Sequence, residues 1–272
     1  MRVLAINDIS CVGKCSLTVT LPILSACGIE CNVLPTAVLS THTGGFTDYT
    51  FHDLTNEIPK ILKHWKSLGL TFDYICSGYL GSIEQIETVL AIKRDFLAEN
   101  GKFIVDPVMG DGGKLYAGFT PEYVEKMRGL CQEADFILPN VTEACFLADS
   151  SYPLSLANAN EVLHKLAKLC PRPIITGITD SNGVSVCYTN ENGQMNTYSH
   201  NHINGFFHGA GDVFTSAFLG AIAAGKDEEI AIRLASDFAA DSILRSAIEV
   251  PDKRYGLNFE AEIFSFLKKL NG

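Results

Sequence analysis

Short apolar runs alternate with amphipathic stretches along most of the chain, and each has the length of a strand or a helix. Runs rich in Val, Ile and Phe predict buried strands at residues 3–7, 31–39, 72–77, 103–105, 136–138 and 173–176. Apolar positions at helical spacing predict helices at 15–27, 55–68, 83–99, 121–131, from 140 or 142 onward, and at 156–169. This alternation predicts a mostly parallel sheet covered by helices on both faces.

The alternation of predicted strands and helices changes in the last third of the chain. Residues 184–188 and 195–200 predict a hairpin, which would add antiparallel strands at one edge of the sheet. Helices are expected at 210–224, 227–245 and 258–270. No linker, repeat or low-complexity segment interrupts the pattern, so a single domain is expected over residues 1–272.

The composition excludes several classes of protein. The 272 residues are 47% hydrophobic and 19% charged, which predicts a folded rather than a disordered chain. Acids outnumber bases by 31 to 21 and no basic stripe is present, so we expect no nucleic-acid partner. No apolar run approaches the roughly 18 residues of a transmembrane helix, so no membrane partner is expected.

The nine cysteines contain no Cys-x-x-Cys pair. Their odd number, together with an apolar N-terminal stretch too short for a signal peptide, predicts reduced and mostly buried thiols. A cytoplasmic location follows as an expectation.

Polar and glycine residues accumulate after five successive predicted strands. Ligands in open α/β sheets bind outside the carboxyl ends of the strands, so these residues are candidates for one site at that edge. The candidates, in chain order, are Asp8, Ser10, Thr43, Tyr79, Asp106, Asp111, Lys114, Asn140 and Glu143.

The strongest single element is the stretch Gly209, Ala210, Gly211 and Asp212, which precedes a long apolar helix. Small residues let the backbone approach a ligand closely, and the N–H groups at a helix N-terminus attract anions. The chain has neither a Walker A loop nor a G-x-G-x-x-G fingerprint after its first strand, which argues against a nicotinamide-dependent redox enzyme.

Three spaced motifs resemble the signatures of the ribokinase superfamily: Asp-Pro-Val-Met-Gly-Asp at 106–111, Pro-Asn-x-x-Glu at 139–143 and Gly-Ala-Gly-Asp at 209–212. The stretch at 77–82 and the pair His42 and Thr43 are similar to pyridoxal kinases of that superfamily. The resemblance implies a ribokinase-like three-layer α/β/α fold with a mostly parallel sheet and a late antiparallel hairpin at one edge. It also implies ATP-dependent phosphorylation of the 5′-hydroxymethyl group of pyridoxal, pyridoxine or pyridoxamine, by a cytoplasmic homodimer.

The resemblance also implies roles for the matched positions. Asp212 corresponds to the general base, and Gly209, Ala210 and Gly211 to the anion hole for the transferring phosphoryl group. Asn140 and Glu143 correspond to the pair that organises Mg²⁺ and the nucleotide phosphates. The remaining assignments to the nucleotide are Asp106, Asp111, Lys114 and Thr176, and those to the substrate are Asp8, Ser10, Thr43 and Tyr79.

The residues at the end of the first strand do not decide whether the substrate ring is a pyridine or a pyrimidine. Many pyridoxal kinases carry Ser where this chain has Asp8, whereas hydroxymethylpyrimidine kinases often show Asp within a Ser-Asp-x-Ser pattern. A carboxylate at Asp8 could accept a hydrogen bond from a ring hydroxyl or a protonated ring nitrogen, and Tyr79 offers a flat face for stacking. A hydroxymethylpyrimidine kinase, another small-alcohol kinase and a non-catalytic cofactor binder are the alternatives; the presence of Asp212 and Glu143 argues against the binder.

Overall fold

The computed structural model describes residues 1–181, 183–190 and 192–272. The strands are β1 (Arg2–Ser10), β2 (Glu30–Leu39), β3 (Phe51–Asp53), β4 (Phe72–Ser77), β5 (Leu97–Val105), β6 (Gly110–Asp111), β7 (Lys114–Leu115), β8 (Phe136–Ile137), β9 (Arg172–Asp180), β10 (Gly183–Thr189) and β11 (Met195–His200). The helices are α1 (Leu17–Ala26), α2 (Ile58–Ser67), α3 (Ile83–Phe96), α4 (Pro121–Gln132), α5 (Val141–Leu147), α6 (Leu156–Ala167), α7 (Ala210–Ala223), α8 (Glu228–Glu249) and α9 (Ile263–Asn271).

The described residues form two compact units: Met1–Trp65 with Ile203–Gly272, and Lys66–His202. The single domain expected over 1–272 stays a prediction. In the first unit β1 runs parallel to β2, from Arg2 opposite Glu30 to Ser10 opposite Leu39, and β3 pairs antiparallel with β2. Most of β1 is buried, as expected of a parallel strand covered on both faces. Helix α7 packs against both α1 and α8.

In the second unit the strands lie in the order β11-β10-β9-β8-β5-β4. Strands β4, β5, β8 and β9 pair in parallel, and β10 and β11 continue the sheet antiparallel at its edge. The predicted fold class, with mostly parallel strands and a late hairpin, is confirmed.

Local sequence signals explain several helix boundaries. The Thr120 hydroxyl accepts a hydrogen bond from the Tyr123 N–H at 3.3 Å, and Pro121 occupies the first turn of α4. Helix α9 begins at Ile263 rather than at 258, because two short 3₁₀ turns precede it. Strand β9 continues to Asp180, beyond the predicted end at Thr176, because β10 pairs with it antiparallel where β8 has already ended.

Among the described residues, none of the helices combines the length and the apolarity needed to cross a membrane.

Candidate active site

Gly209 shapes the start of α7. It is the N-cap residue of the helix, with a left-handed φ of 80°. A Cβ at this position would collide with the carbonyl oxygen of Lys14, so both the backbone conformation and the space require glycine. The first-turn N–H groups have no acceptor within the helix, which makes this end able to bind an anion.

Asp212 lies in the first turn of α7 and is partly buried. The Asn7 side-chain amide donates to Asp212 Oδ1 at 3.4 Å. Burial raises the pKa of Asp212 from 3.8 to about 6 and the negative charge of Asp8 adds to the rise, whereas the polar N–H groups of Ser16 and Asn7 oppose it. A carboxylate with such a pKa is suited to accept a proton near neutral pH.

Asp8 lies near the end of β1 and is buried, with 6% of its surface exposed. The Ser16 hydroxyl donates to its Oδ1 at 2.5 Å, and the Ser10 hydroxyl donates to its Oδ2 at 3.1 Å. Burial raises the pKa of Asp8 in spite of these two bonds. Ser10 is itself fully buried, so its observed partner is Asp8, and its assignment to the substrate stays a prediction.

The loop between β2 and β3 contains His42 and Thr43. The Gly44 N–H donates to His42 Nδ1 at 3.1 Å, so the proton sits on Nε2, which donates to the Arg254 carbonyl at 2.6 Å. Burial lowers the pKa of His42, which keeps the ring neutral near pH 7. Thr43 follows with its side chain exposed.

The segment after Asp252, which carries no recognisable motif, holds the loop that follows β1. The Lys14 N–H donates to the Tyr255 carbonyl at 3.0 Å, and Lys14 forms an isolated parallel bridge with Gly256. The Lys14 ammonium also pairs with Glu260 at 2.6 Å. Together with the bond from His42 to Arg254, these contacts fix the loop after β1 and the loop after β2 to the C-terminal segment.

In the second unit Asn140 and Glu143 form a capping box at the start of α5. Asn140 Oδ1 accepts from the Glu143 N–H at 3.0 Å, and the Asn140 N–H donates to Glu143 Oε2 at 2.9 Å. Glu143 Oε1 accepts from the Met109 N–H at 3.1 Å, and the Asn140 amide donates to the Gly110 carbonyl at 2.9 Å. The pair therefore also fixes the path of the chain after Asp106.

Asp106 and Glu143 are two buried acids close enough to repel each other. Burial raises the pKa of Glu143 well above its usual value, and the charge of Asp106 raises it further. A divalent cation would offset this repulsion, and carboxylate oxygens are the ligands that Mg²⁺ prefers. Among the described residues there is no group of three or more His, Cys, Asp and Glu side chains arranged to hold a metal, but Mg²⁺ commonly uses only one or two carboxylates.

Asp111 and Lys114 are exposed and face each other across the short antiparallel pair of β6 and β7. The Gly113 N–H between them donates to the Thr142 hydroxyl at 2.9 Å, which ties this hairpin to α5. Their assignment to the nucleotide stays a prediction.

Tyr79 follows β4, and Thr176 lies within β9. Tyr79 is partly buried, with its ring centroid 5.9 Å from that of Phe119. The Thr176 N–H donates to the Pro139 carbonyl at 2.9 Å, where β8 has ended. It therefore sits opposite Asn140, at the carboxyl end of the parallel pair.

The structure thus brings Asp8, Ser10 and Asp212 together in one unit, and Asp106, Asn140 and Glu143 together in the other. Convergence of Tyr79 with Asp8 and Thr43 stays a prediction. Sequence reasoning did not single out Ser16, whose hydroxyl donates to Asp8. A serine just before a helix is an ordinary N-cap signal, so nothing in the sequence marked it.

The chain is similar to known proteins over nearly its whole length. The chain is similar to a solved structure of a candidate phosphomethylpyrimidine kinase from Bacteroides thetaiotaomicron, crystallised with pyridoxal; the identity is 35%, the TM-score 0.91, and the match covers 100% of this chain and 96% of the other. It is similar to pyridoxal kinase from Lactobacillus plantarum, with 29% identity, a TM-score of 0.91, and coverage of 98% and 96%. Pyridoxal kinase of Dictyostelium discoideum is 26% identical over 242 residues, which is 80% of this chain and 77% of the relative.

The fold and the relatives together show a small-molecule kinase with the ribokinase-like architecture that the sequence motifs implied. Over residues 23–257 the chain matches the phosphomethylpyrimidine kinase family, and it belongs to that family.

Proposed function

We propose that this chain transfers the γ-phosphoryl group of ATP to the 5′-hydroxymethyl oxygen of pyridoxal, pyridoxine or pyridoxamine. The observation that carries the proposal is Asp212, a carboxylate with a pKa of about 6 beside a left-handed Gly209 at the start of an apolar helix. Two relatives named pyridoxal kinase and a similar structure holding pyridoxal support the choice of substrate.

In this mechanism Asp212 accepts the proton of the substrate hydroxymethyl group as its oxygen attacks the γ-phosphorus of ATP. The bond between that phosphorus and the bridging oxygen breaks, and ADP leaves. The N–H groups at residues 209–211 donate to the transferring phosphoryl group, where one such donor contributes about 2.7–4 kcal/mol of transition-state stabilisation.

In this proposal the nucleotide is contacted by four residues: Asp106, Asp111, Lys114 and Thr176. Magnesium, when bound, neutralises the phosphate charge and orients the phosphates. Asp106 and Glu143 would hold it, since they are acids buried next to each other. Asn140 is included in the metal site as the residue that fixes Glu143 by the capping box.

Asp8, which accepts a hydrogen bond from the Ser10 hydroxyl, would accept another from the substrate ring. Thr43 and Tyr79 would contact the ring.

The second candidate function is hydroxymethylpyrimidine phosphorylation, favoured by the family match over 23–257 and by the acid at position 8. The homodimer and the cytoplasmic location implied by the resemblance are part of the proposal, and light scattering of the purified chain tests the first.

An ADP-release assay with ATP, Mg²⁺ and four alcohols separates the candidates. We expect turnover with at least one of pyridoxal, pyridoxine and pyridoxamine to exceed that with the hydroxymethylpyrimidine. Faster turnover of the pyrimidine would overturn the substrate and leave the kinase mechanism standing. ADP release with none of the four would overturn both candidates.

A further inference from the structure

The loop between β2 and β3, residues 40–50, carries Thr43, which the proposed function places against the substrate ring. Its base is closed by two bonds: the Ser40 N–H donates to the Thr50 carbonyl at 3.1 Å, and the Thr50 N–H donates to the Ser40 hydroxyl at 2.9 Å. Thr43, Gly45 and residues 47–49 are exposed. A loop with so little packing of its own keeps one conformation only where contacts from other segments hold it.

The C-terminal segment supplies such contacts through the backbone of Arg254. The Arg254 carbonyl accepts from His42 Nε2 at 2.6 Å, and His42 Nδ1 accepts from the Gly44 N–H at 3.1 Å. The His42 ring is 6% exposed, and a Cβ at Gly13 would lie 2.4 Å from its Cδ2. The residue before Thr43 is therefore fixed between the loop after β1 and the C-terminal segment.

The Arg254 side chain contacts the residues that follow Thr43. Its guanidinium lies over the Phe46 ring, 5.2 Å from the centroid, and its Nη1 donates to the Gly45 carbonyl at 3.5 Å. Such a cation is attracted to the face of an aromatic ring. A Cβ at Gly45 would lie 3.0 Å from Arg254 Cγ, so the stem of the arginine packs directly on the backbone of the loop.

Asp252 fixes the direction of the Arg254 side chain. Arg254 Nε donates to Asp252 Oδ1 at 3.0 Å and Nη2 donates to Oδ2 at 2.6 Å, a bidentate pair that suits the planar guanidinium. Both side chains are partly exposed, at 52% and 37%, and an exposed pair of this kind adds little to the stability of a fold. The pair therefore orients the guanidinium more than it stabilises the protein.

We propose that Arg254 is a positioning residue for the substrate ring: its carbonyl holds His42 and its guanidinium holds Phe46, so Thr43 between them keeps a fixed position. This inference rests on the proposed function, in which Thr43 contacts the ring of the vitamer. A contact that is already ordered before the ligand arrives costs less conformational entropy on binding. Loss of the guanidinium should therefore weaken vitamer binding and leave ATP binding and phosphoryl transfer intact.

Two variants of the whole chain weaken the hold on the loop. Arg254→Met removes the guanidinium and keeps an unbranched stem against Gly45. Asp252→Asn removes the charge that orients the guanidinium, while its amide oxygen can still accept from the Arg254 N–H. Arg233→Met is the matched control, because it removes another exposed arginine from an ion pair, with Glu229 at 2.6 Å within α8.

Steady-state kinetics separate positioning from a general loss of structure. Arg254→Met should raise KM for the vitamer by about three- to tenfold with kcat and KM for ATP nearly unchanged, because it loses the ring contact and the bond to the Gly45 carbonyl. Asp252→Asn should give a smaller rise in the same constant, and Arg233→Met no change. Equal losses for vitamer and ATP, or wild-type kinetics in Arg254→Met, would overturn the proposal.

A double variant tests whether the effect passes through Thr43. Thr43→Ala removes the proposed ring contact, so adding Arg254→Met to it should raise KM for the vitamer by about twofold or less. Full multiplication of the two single effects would show that Arg254 does not act through Thr43, which would contradict the assignment.

Hydrogen exchange followed by mass spectrometry tests the hold on the loop without activity. Amides of residues 40–50 should exchange about threefold faster or more in Arg254→Met and Asp252→Asn than in the wild type and Arg233→Met. Unchanged exchange in a folded Arg254→Met protein would refute the proposal even if KM rose. Should Arg254→Met not fold, unchanged exchange in Asp252→Asn would refute it equally. If the wild-type chain phosphorylated none of the four alcohols, the proposed function would fail while the exchange rates still decided whether Arg254 holds the loop.

Discussion

Replacing Asp212 by asparagine should inactivate the protein and stabilise it at the same time. The carboxylate is the proposed base, so turnover should fall by about 10²-fold or more. The same carboxylate is held in a place where burial and Asp8 disfavour its charge, which raises its pKa from 3.8 to about 6. The asparagine side chain would carry no charge, and its amide oxygen could still accept the hydrogen bond from the Asn7 amide.

The size of the stabilisation follows from the pKa. A rise of about two pH units at about 1.4 kcal/mol per unit corresponds to about 3 kcal/mol. An acid whose pKa is raised on folding contributes stability that is complete below 3.8 and is lost as the pH rises through about 6. The neutral asparagine avoids that loss, so its advantage should be largest at pH 8 and about half as large at pH 5.

Equilibrium urea unfolding of both proteins at pH 8 and pH 5 measures this advantage, with the coupled ADP-release assay run on the same samples. Wild-type kcat/KM should fall below about pH 6 as Asp212 takes up a proton. A variant less stable than wild type at pH 8 would show that Asp212 is not held against its charge. Near-normal turnover in a folded variant would remove Asp212 from the role of base.

Three further substitutions test other parts of the site. Gly209→Ala should cost about 1–3 kcal/mol in urea unfolding, because its φ is 80° and its Cβ meets the Lys14 carbonyl; Gly211→Ala is the stability control, since a Cβ there meets nothing within 4 Å. Asp8→Ala should raise KM for pyridoxal by about tenfold while leaving that for ATP nearly unchanged, and equal losses for both would indicate a structural role. Glu143→Gln should raise the Mg²⁺ concentration needed for half-maximal activity more than it raises KM for pyridoxal, and an unchanged Mg²⁺ dependence would remove Glu143 from the metal site.

The order of elements was predictable because the strands and helices of a parallel α/β fold carry strong periodic signals. Strand β4 has the predicted bounds, and α4 begins at Pro121 as expected. Strands β3, β6 and β7 were missed, since two or three residues are too few to show a period. The end of β9 was misjudged because its continuation depends on pairing with β10, which a local pattern does not reveal.

Residues of the candidate site were predictable only where the residue types and their order in the sequence indicate a chemical role. Gly209 and Asp212 stand out because glycines before an acidic helix start are a recognisable combination. Ser16 does not stand out, because its bond to Asp8 depends on an unusual backbone conformation. The bond of His42 to Arg254 was not predictable either, because the two residues lie far apart along the chain. Asn140 and Glu143 were expected to act on a metal, and their capping box shows that they also build the start of α5.

The contacts of the C-terminal segment bear on how this family can diverge. Arg254, Tyr255 and Gly256 hold the backbone of the loops that carry His42 and Lys14, yet none of the recognition motifs includes them. Gly256 has a φ of 87°, and a Cβ there would lie 2.6 Å from the Lys14 carbonyl oxygen, so a substitution at this position would displace the loop that follows β1 while every motif residue stayed intact. Under the proposed function this loop lies beside the substrate, so two relatives with identical motifs can prefer different rings, and an assignment of substrate from motifs alone would miss the change.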